Sequence, residues 1–252
     1  MRTFVAKDSI VRQIWGNADT VLFIFAGAAS EFSLNKAVDW LYYTGKLPAD
    51  PLDRLFSTVA YSRSIIFADE DVALQAINRI TAIHQGVEKS RGSQIPDWAY
   101  RDVLFMLIDY SIRSFELLER KLTPREKQEV FDVFYRMGMQ MSLKQLPASH
   151  TDWLIARQEH LEQNLIKSEF SIDLYKQYKK HLGWLRYHIM LGVQSILVPT
   201  VVKQHLGLNN ALWIKPVLFV YKKLKYVNLA ALAKNLLLPV KYKQQIAQLN
   251  VR

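Results

Sequence analysis

The chain has 252 residues, half of them apolar, and no cysteine. That is enough material for one sizeable core, and without thiols there are no disulfides, thiolate nucleophiles, iron–sulfur clusters or cysteine-bound zinc. The net charge of +10 is unevenly spread: residues 1–173 carry 20 basic and 23 acidic side chains, whereas residues 174–252 carry 13 basic and no acidic ones.

Apolar residues three and four apart dominate and two-residue alternation is rare, which predicts an all-α protein. With 9 glycines and 8 prolines scattered along the chain and no repeat at a fixed spacing, it reads as a single-domain helical globule over 1–252, with a basic C-terminal helical extension at about 209–252. In chain order, helices are expected over about 20–31 and 33–43, then one opening at Asp50-Pro51-Leu52-Asp53, where an N-cap precedes a proline at the first helical position. The next cover about 69–87 and 96–118, followed by one opening at the capping box Thr123-Pro124-Arg125-Glu126. Further helices are expected over 149–164 and 172–181, with shorter ones beyond Trp184 broken near Pro199, Pro216 and Pro239. The apolar runs 21–29 and 189–202 are shorter than the roughly 20 residues that cross a bilayer. The first follows Asp8 and Asp19 and is read as a buried helix rather than a leader, which suits a cytoplasmic protein.

On the 69–87 helix, Ala73, Ala76, Ile77, Ile80, Ile83, His84 and Val87 share one side, opposite Gln75, Asn78, Arg79 and Gln85. His84 is therefore expected to point inward, where an imidazole needs hydrogen-bond partners or a metal. It is either a hydrogen-bonded core histidine or a ligand. One helix earlier, Arg54 and Thr58 lie four residues apart and share a face with Tyr61 and Ile65. Alone, they read as a solvated cation and a self-bonded hydroxyl; converging on His84, they would suit a group bearing carboxylates.

Other constellations carry less chemistry. Asp109, Arg113 and Glu116 have the spacing of an ion-pair row and are taken as structural. His150, His160, His181, His188 and His205 form no H-E-x-x-H or Glu-x-x-His pattern, so zinc and di-iron sites are not expected. There is neither a phosphate-binding glycine loop nor a Gly-x-Ser-x-Gly elbow. Tyr100, Tyr135 and Trp98 are candidates to line a pocket or to fill the core. From Ala211 onward, apolar residues interleave with Lys215, Lys222, Lys223, Lys225, Lys234, Lys241 and Lys243. That pattern fits either helices lying on an anionic membrane or lysine stems packed over a core. Nucleic acid is not expected, since no recognition motif accompanies the charge.

Several of these residues also fall into an ordered set of motifs. Pro51-Leu52-Asp53-Arg54-Leu55-Phe56-Ser57-Thr58, then Phe67-Ala68-Asp69-Glu70, then Ile83-His84-Gln85-Gly86-Val87 resemble the signature of the MpaB / rubber-oxygenase (latex clearing protein-like) catalytic family. Asp109 through Arg113 to Glu116, Leu146-Pro147-Ala148 and Leu197-Val198-Pro199 with His205-Leu206-Gly207 agree with it in order, so the similarity covers about 21–208. The resemblance implies a globin-like helical core holding haem b. His84 would be the axial iron ligand, Arg54 and Thr58 would support the haem, and O2 or peroxide would be used to oxidise an apolar or lipid-like substrate. Four positions depart from the pattern: Lys89 and Leu104 stand where the family often has a glycine and a histidine, Ser57 replaces the lysine of rubber-cleaving members, and Asn35-Lys36-Ala37-Val38 stands where their glutamate would fall. Polyisoprene cleavage is not expected. A haem-free helical binding or membrane-surface module of the same fold is the alternative.

Overall fold

The computed structural model describes residues 2–226, and these are helical almost throughout, with two isolated β-bridges and no strand among them. The helices are α1 (Ile10–Trp15), α2 (Ala18–Phe32), α3 (Asp39–Tyr43), α4 (Lys46–Ala49), α5 (Pro51–Ile66), α6 (Glu70–Arg91), α7 (Asp97–Leu118), α8 (Pro124–Gln140), α9 (His150–Gln163), α10 (Glu169–Leu197), α11 (Thr200–Leu206) and α12 (Ile214–Tyr226). Their side chains share one continuous apolar core, whose largest sealed members include Trp15, Trp153, Tyr110, Phe131 and Phe134.

Local chemistry sets most boundaries. The Asp50 carboxylate accepts from Asp53 N at 3.0 Å and starts α5 with proline in its first turn. Thr123 and Glu126 close a reciprocal capping box on α8. Gly92, at φ 68°, ends α6.

Three expected boundaries differ. The 33–43 helix shrinks to α3, because the chain at 34–36 is drawn out against 164–166: Lys36 N donates to Asn164 O at 2.9 Å and Ile166 N to Leu34 O at 2.7 Å. The helix expected over 172–181 starts earlier, at Glu169; it is interrupted as expected before Trp184, at Gly183, whose φ of 74° is open to glycine at little cost, and a second helical stretch runs on to Leu197. Pro216 does not break α12, since it sits in the first turn, where its missing N–H has no intrahelical acceptor to lose. Pro239 and the rest of the basic extension after Tyr226 lie outside the described residues.

At the centre of the molecule α2, α7 and α9 are joined by charge. Arg157 on α9 is fully buried and reaches both Glu31 oxygens (2.5 and 2.7 Å) and Asp109 Oδ2 (2.8 Å). His160, one turn on, approaches Glu31 Oε1 at 2.9 Å through Nε2, and its Nδ1 lies 2.6 Å from Asp102, close but poorly aligned for a hydrogen bond. Tyr110 donates to Glu31 at 2.8 Å, and Asn35 and Asn164 donate to Asp102. Gly27 makes this possible: a Cβ there would sit 2.2 Å from the Tyr110 ring. The expected ion-pair row thus survives only in part. Arg113 does bond Asp109, at 2.6 Å, but Glu116 turns away to Lys121 and Lys127.

Burial pushes the Glu31 carboxyl up, but Arg157 and His160 together outweigh it and hold Glu31 well below the usual carboxylate range. Burial lowers the His160 pKa, but Asp102 and Glu31 carry it above its ordinary value of 6.5. Replacing Arg157 with methionine strands two buried acids and should cost about 3–5 kcal/mol in chemical unfolding. Because the folded His160 value is raised, the stability it contributes is complete below about pH 6.5 and is lost as pH rises through the folded value. His160→Gln should therefore flatten the pH dependence of unfolding on that alkaline side; an unchanged profile would show that the ring does not hold its proton.

Candidate functional site

The first turns of α5 and the C-terminal half of α6 are packed together and carry the residues singled out from the sequence. Arg54 is half-buried on α5. Its guanidinium donates to Ser57 and Thr58 hydroxyls, each at 3.2 Å, and both hydroxyls donate back to the Arg54 carbonyl at 2.7 and 3.1 Å. No carboxylate lies within ion-pair distance of it among the described residues. Partial burial without an acid costs free energy, and burial accordingly lowers the Arg54 pKa.

His84 is half-buried on the neighbouring helix, and its Nδ1 is sealed from solvent with no hydrogen-bond partner. The inward face expected for α6 holds at Ala73 and Ile77 and loosens toward the C-terminus, where Ile83 is 46% exposed. Burial first, and the Arg54 charge second, push the His84 pKa below 6.5; Glu88 opposes them. The ring is therefore neutral at pH 7, the form in which an imidazole binds a metal.

Tyr100 on α7 packs against His84 with ring centroids 5.2 Å apart and donates to Glu88 Oε1 at 3.1 Å. The same oxygen accepts from Ile95 N at 2.9 Å. Of the three aromatic pocket candidates only Tyr100 meets His84. Tyr135 stacks on Phe131, at 5.6 Å, and Trp98 is half-buried with no ring contact to the site.

Three of the four departures from the family pattern have a place in the structure; nothing in it explains Lys89. Leu104 is buried against Gly138, where a Cβ would meet it at 2.8 Å, so it fills the α7–α8 contact. Asn35 caps Ala37 N at 2.8 Å and bonds Asp102. Ser57 contributes a hydroxyl beside Arg54. Glu31, Arg157 and His160 were the important side chains that spacing did not single out; the one available signal was an acid at the C-terminal end of an apolar helix, where the helix dipole disfavours it.

Among the described residues no three histidines or acids cluster as a metal site. What His84, Arg54, Ser57 and Thr58 can do is different: one free imidazole nitrogen, one cation without an acid, and two hydroxyls.

These features define an all-helical protein with one histidine-centred polar site between two helices. The chain belongs to the family described as ER-bound oxygenase mpaB/B'/Rubber oxygenase, catalytic domain, whose model matches residues 13–219. No curated protein and no solved structure matches it. No described helix is long and apolar enough to cross a membrane.

The electrostatics are testable without any cofactor. By histidine NMR, His84 should titrate below 6.5; Arg54→Gln should move its midpoint upward. A midpoint unmoved by that change would mean the two side chains do not share a site.

Proposed function

We propose that the protein is a haem b-dependent oxygenase or peroxidase-like oxidoreductase acting on an apolar or lipid-like substrate, and that one helical domain with a globin-like core carries the activity. The observation that supports this most is the coincidence of unpaired groups. His84 Nδ1 is sealed and unpartnered, and the adjacent Arg54 has hydroxyl partners but no carboxylate. Buried polar groups are rarely left so, and haem brings what each lacks: iron for the imidazole and propionates for the guanidinium and hydroxyls. The residues present fit the group.

In this reading His84 would hold the haem iron, and Arg54 with Thr58 would hold its carboxylates. Bound haem would supply activation of O2 or peroxide. Burial and Arg54 keep His84 unprotonated and ready to ligate. Tyr100, fixed by its bond to Glu88, limits the tilt of the imidazole. Ser57 in place of a lysine removes a cation beside Arg54 and disfavours the polyisoprene-cleaving variant of the chemistry. A peripheral contact between the basic C-terminal third and an anionic membrane belongs to the same proposal and would place the site near apolar substrates.

Purified protein supplied with haem should develop a Soret band, and His84→Ala should abolish it. Arg54→Ala should weaken haem retention by roughly 10- to 100-fold, the range for groups that support a metal ligand. Retention should also decline as pH falls below 6.5, because protonation competes with ligation. A Soret band unchanged in His84→Ala would overturn axial ligation; failure of the wild type to take up haem would overturn the function.

A further inference from the structure

Between Gly183 and Tyr226 exposed apolar side chains are numerous and no acid accompanies them. On α10, just past the Gly183 bend, Trp184 is 67% and Leu185 55% exposed. On and before α12, Leu212 is 69% exposed and Phe219 61%, with Trp213, Val217 and Val220 also largely in solvent. Single exposed apolar side chains are ordinary, but rows of them are not.

Helical geometry joins these residues. Leu185 and Gly192 are seven apart on α10 and so lie on nearly one face, about 10 Å apart along the axis. Gly192 is where α12 docks: a Cβ there would meet Trp213 at 3.0 Å and Ile214 at 3.1 Å. Trp213 therefore continues the strip begun at Leu185. Further along, Phe219 and Val220 lie on the outer side of α12, five and six residues past Ile214, which is buried on the inner side.

The strip also borders the site. His181 lies 3.8 Å from Asp50, the cap of the helix that carries Arg54, and Trp184 follows three residues later.

The charge on the exposed side of α12 has one sign. Lys215 and Lys223 are exposed on α12, the latter over the Phe219 ring at 5.6 Å, and no acid occurs anywhere in residues 174–252. The acids that face α12 are on its inner side, where Tyr221 meets Asp19 and Glu119. A protein partner would need its own acids placed to match; a bilayer of anionic lipids offers negative charge everywhere and an apolar interior beneath it. We infer that the face formed by Trp184, Leu185, Leu212, Trp213, Phe219 and Val220, together with Lys215 and Lys223, docks on an anionic lipid bilayer. Trp213 and Phe219 enter at headgroup depth, which brings the end of α5 that carries Arg54 close to the lipid. This deepens the membrane part of the proposed function and is independent of whether haem binds.

The test uses the full chain with sized vesicles of phosphatidylcholine alone or with added phosphatidylserine. Co-sedimentation is expected with the anionic vesicles and should fall with salt, and tryptophan emission should shift to the blue on binding. Lys215→Glu/Lys223→Glu and, separately, Phe219→Ser/Val220→Ser alter only exposed side chains. Each double variant should keep its helical circular dichroism and lose about tenfold or more in partitioning, since each lysine near such a surface contributes about 1 kcal/mol. His84→Ala should bind vesicles as the wild type does. Equal binding to neutral vesicles, no binding, or concentration-dependent dimerisation abolished by Phe219→Ser/Val220→Ser would overturn the inference. Loss of the Soret band with vesicle binding intact would sink only the haem reading, and a Soret band without vesicle binding only this one.

Discussion

Arg157 is the constraint on which the helical packing turns. A guanidinium buried from water is tolerated only when its charge and donors are met, and here three helices converge to meet them. Glu31 comes from the end of α2, Asp109 from the middle of α7, and Arg157 and His160 stand one turn apart on α9. Tyr110 can lie flat on α2 because position 27 has no side chain. Removing any one partner leaves a buried charge uncompensated, so the cluster fixes how α2, α7 and α9 meet as well as stabilising their contact. Apolar packing alone would tolerate several registers of these helices; a bidentate ion pair tolerates few.

Against that background the His84 site stands out. The same chain that surrounds Arg157 with acids gives Arg54 only two hydroxyls, and the same fold that puts acids at both His160 nitrogens leaves His84 Nδ1 with none. Both places are subject to the same desolvation cost. In one the protein answers it internally; in the other the described residues supply His84 Nδ1 with no partner and Arg54 with no acid.

The two halves of the charge distribution also divide the labour. The acids all lie in the first 173 residues, where those of the central cluster work inside the helical packing. The acid-free remainder supplies α11, α12 and most of α10, including the bend at Gly183 that turns Trp184 outward beside the cap of α5.

Helix identity was readable in the residues themselves. Three- and four-residue periodicity, the Asp50-Pro51 start, the Thr123–Glu126 box and the glycine stops act within a few residues of one another, so they operate before any tertiary contact forms. The order of the motifs likewise placed His84, Arg54 and Thr58 without coordinates. What periodicity could not convey was pairing across the chain. Glu31 and Arg157 are 126 residues apart, and Asn35 with Asp102 67 apart; nothing local distinguishes such residues from surface charges. The shortened helix at 33–43 has the same origin, since the strand-like contact that stretches it comes from residues 164–166. Sequence by itself therefore determined which segments coil and, at the capped ends, where they start or stop, because those depend on short-range sterics and hydrogen bonds. Only the tertiary structure decided which charges are satisfied and which are left open, because that depends on what the fold brings alongside them.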